Sequence, residues 1–152
     1  YPLDNILNWN NLYGKNGFTQ FQCLIPIMYA KEGILKLLKT VAKSQVGCFL
    51  SVLKLLSNQD SFFSFPDEGF TITFDLPLVS NNKTADLINN LHAIVLDHGG
   101  RFYLAKDAYL DPKKFYSSDK RAEEFYKLRK KHNMDLFFRS EQSDRLSFAP
   151  GE

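Results

Sequence analysis

Much of the equipment of a self-sufficient enzyme is missing from these 152 residues. Cys23 and Cys48, the two cysteines, are too far apart for Cys-x-x-Cys metal ligation. Both lie in apolar runs, which reads as reduced core thiols in a non-secreted protein. His92, His98 and His132 lack ligand spacing; the first two read as surface or helix-terminal residues, and no metal site is expected. There is no G-x-S-x-G elbow, no phosphate-cradling P-loop and no G-x-G-x-x-G after a strand. No apolar stretch approaches the ~20 residues of a membrane span, and no signal peptide stands at the start. A net charge of +2 is too small for a nucleic-acid surface. The basic cluster Lys127, Arg129, Lys130 and Lys131 reads as a solvated helix face.

What is present is core material, with 44% hydrophobic residues that include fourteen Phe and seven Tyr. "FTQFQCLIPI" (18–27) alternates strictly, predicting a half-buried strand ended by Pro26. "AKEGILKLLKTVAKS" (30–44) places Ile34, Leu37, Leu38 and Val41 on one helical stripe. "GCFLSVLKLL" (47–56) is a second strand with Lys54 near its end, and "FTITFDLPL" (70–78) a third. "NKTADLINNLHAIVLDHGG" (82–100) is a helix with Leu87, Leu91, Ile94 and Val95 on its stripe, stopped by Gly99-Gly100. "RFYLA" is a fourth strand. The order β-α-β-β-α-β predicts an α+β, ferredoxin-like antiparallel sheet with both helices on one face. From about residue 107 the chain becomes a charged helical segment.

The face away from the helices should carry Gln20, Gln22, Thr71, Thr73, Asp75 and Tyr103, with Lys54 and Lys106 at strand ends. Such a face is either simply wet, as in many antiparallel sheets, or it closes over a ligand. Amide, hydroxyl, phenol and ammonium groups suit a polyol or a heteroaromatic ring. Asp107 either orients Lys106 or begins the next turn.

Several stretches fall in one order: "YPLDNILNWNNLYGKNGFTQFQCLIP", "FLSVLKLL", "LSNQDSFFSFPDEGFTITFDLPL", "GGRFYLAKDAYLDPKKF" and "FFRSEQSDRL". Together, over essentially the whole chain, they resemble the C-terminal part of FAD-linked oxidoreductases of the vanillyl-alcohol oxidase superfamily, on the side of the aldonolactone oxidases. The linked set W-N-x-L-Y-G, F-x-Q-x-Q, S-F-P, D-x-P and G-G-R-x-Y-x-A-K-D carries the specificity. The resemblance implies a cap domain whose sheet faces the flavin. Residues 1–106 would be part of it, and 107–152 a return onto an N-terminal FAD domain absent from these residues. The abrupt start reads as the mark of a fragment.

By position, the resemblance implies that Gln20, Gln22, Lys54, Thr73 and Tyr103 line the substrate pocket. Thr73 falls where some relatives have a cysteine. Lys106 would be the catalytic, flavin-facing lysine, and Arg139 with Ser140 would lie near the cofactor domain. After "FRS" the relatives are more basic than "EQSDRL". The implied activity is hydride transfer from a sugar or sugar-like alcohol carbon to FAD, with a lipid-linked sugar as one form of substrate. The implied location is cytoplasmic, at most membrane-peripheral, and the piece alone would be inactive. The alternative is a stand-alone ferredoxin-like binding or regulatory module.

Overall fold

Residues 7–8, 11, 13–79 and 82–146 are described in a computed structural model; most of "YPLDNILNWN" and the end of the tail lie outside them. The alternating first segment forms β1 (Phe18–Pro26). It pairs antiparallel with β3 (Gly69–Pro77) along its whole length, from Phe18↔Pro77 to Pro26↔Gly69. β2 (Leu50–Leu56) flanks β3 and β4 (Arg101–Phe102) flanks β1, so the sheet order is β2-β3-β1-β4. With α1 (Ala30–Lys43) after β1 and α2 (Lys83–Asp97) after β3, this is the expected α+β, ferredoxin-like arrangement.

One face of the sheet meets the helices. Phe21, Cys23, Ile25, Ile72, Phe74 and Leu76 join Ile34, Leu37 and Val41 of α1 and Leu87, Leu91 and Val95 of α2 in one core. Leu38, expected on the α1 stripe, is exposed instead. The backbone at Gly47 has φ +85°, outside strand geometry, so β2 starts only at Leu50. As an edge strand, β2 leaves Leu50, Leu53 and Leu55 exposed.

Two further departures matter for the site. The expected strand 101–105 stops early. Tyr103 N–H still donates to Gln22 O, but the chain then tightens into a single 3-10 turn, Leu104–Lys106. The Leu104 carbonyl accepts from Asp107 N–H and from the Gln142 side chain, contacts that no strand pattern encodes. Lys106 therefore ends a turn, not a strand.

His92 is only 1% exposed, its ring packed 4.8 Å from that of Phe102 and 5.7 Å from that of Phe21. Its position four residues after Ile88 places it on the inner side of α2, not at the surface. His98 is helix-terminal as expected, following the last residue of α2, but it is buried. It fits because Gly33 offers no side chain where a Cβ would stand 3.2 Å from its ring.

Beyond the sheet lie α3 (Pro112–Ser118), α4 (Arg121–Lys131), α5 (Met134–Phe137) and α6 (Glu141–Arg145). Asp111 caps α3 by accepting from Lys114 N–H, with Pro112 opening the helix. Ser140 and Ser143 form a reciprocal cap on α6. Leu110, Phe115, Ala122 and Leu146 join the same hydrophobic core. Lys127, Lys130 and Lys131 are solvated as expected, whereas Arg129 is half-buried and donates to Phe138 O. No helix of the described residues is long and apolar enough to cross a membrane.

Two outcomes test this packing. A Cβ on Gly69 would lie 2.3 Å from the Ile25 carbonyl oxygen. Gly69→Ala should therefore lower the free energy of urea unfolding by about 3 kcal/mol, the upper range for overpacking. Burial lowers the His92 pKa from 6.5 to about 4; the positive charges of Lys114 and Arg145 add to this and Asp107 and Asp111 oppose it. As pH falls, the unfolded chain takes up that proton first, so this contribution is complete above pH 6.5 and is lost on the way down to pH 4. Unfolding free energies across this window should fall more steeply in the wild type than in His92→Phe, by up to about 3 kcal/mol.

Candidate functional site

The β1–β3 register arranges the second face of the sheet in rows. Lys54, Thr71, Leu24 and Arg101 form one row across the four strands. Val52, Thr73 and Gln22 form the next, continued by Tyr103 through its N–H bond to Gln22 O. Leu50, Asp75 and Gln20 form the third, and beyond Gln20 the short β4 leaves the edge of β1 open. Neighbouring strands stand about 4.8 Å apart, so Thr73, Gln22 and Tyr103 span roughly 10 Å.

This face is not simply wet. Thr71 and Asp75 are 2% and 3% exposed, and Leu24 is 1% exposed. At one end Tyr13 covers it, its hydroxyl donating to Asp75 Oδ2 at 2.9 Å while Gln20 Nε2 donates to Oδ1 at 2.7 Å. Tyr13 stacks on Phe18 and meets Phe49 edge-on. In the middle Gln22 Nε2 donates to Thr71 Oγ1 at 3.0 Å.

At the other end the β2–β3 loop folds back. Phe65 lies against Tyr103 with centroids 4.7 Å apart, and Asp67 pairs with Arg101 at 2.5 Å. Phe63 stacks on Phe125 of α4, and Arg121 joins Asp119 at 2.7 Å while donating to Ser64 O. An aromatic cleft of about 120 Å³ remains between Phe63, Phe65, Tyr103 and Phe115.

Lys106 lies at the open edge. It shares a recess of about 10 Å³, the room of one water, with Gln20, Gln22, His92 and Tyr109. Among the described residues no hydrogen bond or ion pair holds its ammonium group, and the residue is exposed. Asp107 does not orient it. The Asp107 carboxylate accepts from Tyr109 N–H and Leu110 N–H and pairs with Arg145, so it builds the following turn.

The structure thus brings Gln20, Gln22 and Lys106 to one recess, with Tyr103 and Thr73 flanking Gln22. Lys54 sits inside β2, one row away beside Thr71, and is exposed. Arg139 stands apart on the surface, paired with Asp144 at 3.0 Å. The two cysteines are free; burial pushes the Cys23 thiol up and, chiefly, that of Cys48. Sequence reading missed Tyr13, His92, Gln142 and Arg145. Tyr13 lies in W-N-x-L-Y-G, and Gln142 and Arg145 lie in "FFRSEQSDRL", but neither stretch indicates these contacts.

Chemically, each glutamine donates from its amide N–H₂ within the sheet, and its carbonyl oxygen is an acceptor group. Two carbonyls, a phenol and an unpaired ammonium are suited to hydroxyls and to a developing negative charge. Burial, the hydrogen bond to Asp75 and the charges of Asp75 and Cys48 push the Tyr13 phenol up to about 12. In an ultraviolet titration one tyrosine should ionise near pH 12, and Asp75→Asn should bring it back towards 10.

No family model matches the chain. Decaprenylphosphoryl-beta-D-ribose oxidase of Mycolicibacterium smegmatis is 31% identical to it over 147 residues, which is 96% of this chain and 31% of that protein. The chain is a distant homologue of part of that oxidase and spans about a third of its length.

Proposed function

We propose that this chain is the substrate-facing part of an FAD-linked oxidoreductase of the vanillyl-alcohol oxidase superfamily. The enzyme oxidises a sugar or sugar-like alcohol by hydride transfer to the flavin. The observation that carries the reading is the recess at the open edge of β1 that Gln20 and Gln22 share with Lys106, whose ammonium group is unpaired among the described residues, with Tyr103 bound through its N–H to Gln22 O beside it. The chain bearing it is similar along nearly its whole length to an oxidase named for a lipid-linked ribose.

The donor set fits an isoalloxazine ring: an exposed cation, with no counter-ion among the described residues, stands beside glutamine amides whose oxygens can accept from N–H or O–H groups. Nothing among the described residues resembles a glycine-rich pyrophosphate cradle, so the rest of FAD would be held by a separate N-terminal domain. Residues 1–106 then act as part of the cap, and 107–152 as the return towards that domain with Arg139 on its cofactor side. FAD, when bound, supplies the hydride-accepting centre. Gln20 and Gln22 accept from substrate hydroxyls and fix their orientation. Tyr103 and Thr73 share the row of Gln22, and Lys54 adds a second cation in the neighbouring row. Lys106 offsets the negative charge that develops beside it.

The test is flavin reduction by a sugar alcohol in a protein that carries this chain together with its FAD domain. Lys106→Ala should abolish reduction and leave the far-ultraviolet circular dichroism unchanged. Undiminished reduction removes Lys106 from the chemistry. The 152-residue chain by itself should be colourless and inactive, and a yellow, active preparation would overturn the division of labour.

A further inference from the structure

The turn that carries Lys106 is tied down at both ends while, among the described residues, nothing holds its ammonium group. On the sheet side, Tyr103 N–H donates to Gln22 O and Lys106 N–H to Tyr103 O, each at 3.0 Å. On the far side the contacts come from α6. Gln142 Nε2 donates to Leu104 O at 2.6 Å and to Asp107 O at 3.4 Å. Arg145 donates to Asp107 Oδ2 at 2.9 Å, to Asp107 O at 3.4 Å and to Leu110 O. Asp107, with a side chain 8% exposed, spends its other oxygen on Tyr109 N–H and Leu110 N–H.

From this we infer that Gln142 and Arg145 are positioning residues for Lys106. They bind the backbone two residues before it and immediately after it, and so hold the root of a flexible side chain beside Gln20 and Gln22. A lysine stem has four rotatable bonds and loses rotamer entropy when fixed. A wandering backbone would compound that loss. The Arg145–Asp107 pair is well placed to prevent it, because a planar guanidinium reaches a carboxylate and two carbonyls from one fork. That this serves a flavin-facing lysine rests on the function proposed above; the bracing of the turn does not.

The test uses the 152-residue chain with its lysine amines ¹³C-dimethylated, the Lys106 resonance being assigned by its loss in Lys106→Arg. In Arg145→Ala and Gln142→Ala the Lys106 resonance should shift or narrow while those of the other lysines stay. Amide exchange at Lys106, Asp107 and Leu110 should quicken about tenfold or more, with the β1–β3 amides unchanged. Arg145→Lys should recover part of both effects, since it restores the charge pair without the fork. If Arg145→Ala unfolds because Asp107 is left buried without its partner, Gln142→Ala carries the test alone, as it leaves no charge stranded. An unchanged Lys106 signature and unchanged exchange in Gln142→Ala overturn the inference. Undiminished flavin reduction in Lys106→Ala instead overturns the functional reading and leaves these shifts in place.

Discussion

The antiparallel register of β1 on β3 decides what every other residue of the sheet can do. Because side chains alternate with period two, a slip of one residue would bring Gln20, Gln22 and Asp75 under the helices and expel Phe21, Phe74 and Leu76. The apolar face anchors the register through the two helices. The polar face anchors it a second time, since Tyr13, Gln20 and Asp75 satisfy one another only in this alignment. Gly69 enforces it at the strand end, where only a residue without a Cβ can pass the Ile25 carbonyl.

A buried carboxylate on that second face is costly unless its oxygens are occupied. Asp75 has a donor on each oxygen, and both donors come from the sheet's own chain. The middle and open edge differ: there the glutamine carbonyls, Tyr103 and Lys106 keep unused capacity. One end of the face is a closed structural network, and the other is open to solvent; the proposed function puts the ligand at the open end.

Much of the architecture was legible in the residues. Strict alternation in "FTQFQCLIPI" and "FTITFDLPL", two amphipathic stripes, and Gly99-Gly100 as a stop were enough to order the strands and helices and to assign the faces. Leu38 and His92 were misjudged because a stripe gives the direction a side chain faces, not how far the neighbouring element extends. α2 is covered more widely than its leucines suggest, by Phe21 and Phe102 on the sheet and by the chain after Lys106.

By itself the sequence determined the period of each element, and with it the two faces and the residues available to the polar one. Tertiary structure decided where Lys106 stands. "RFYLA" has the local character of a strand, but its last residues give up the ladder because Gln142 and Arg145, some 35 to 38 positions later, claim the carbonyls of Leu104, Asp107 and Leu110. Contacts so distant along the chain leave no local periodicity, so the placement of the lysine emerges only when α6 is packed against the turn.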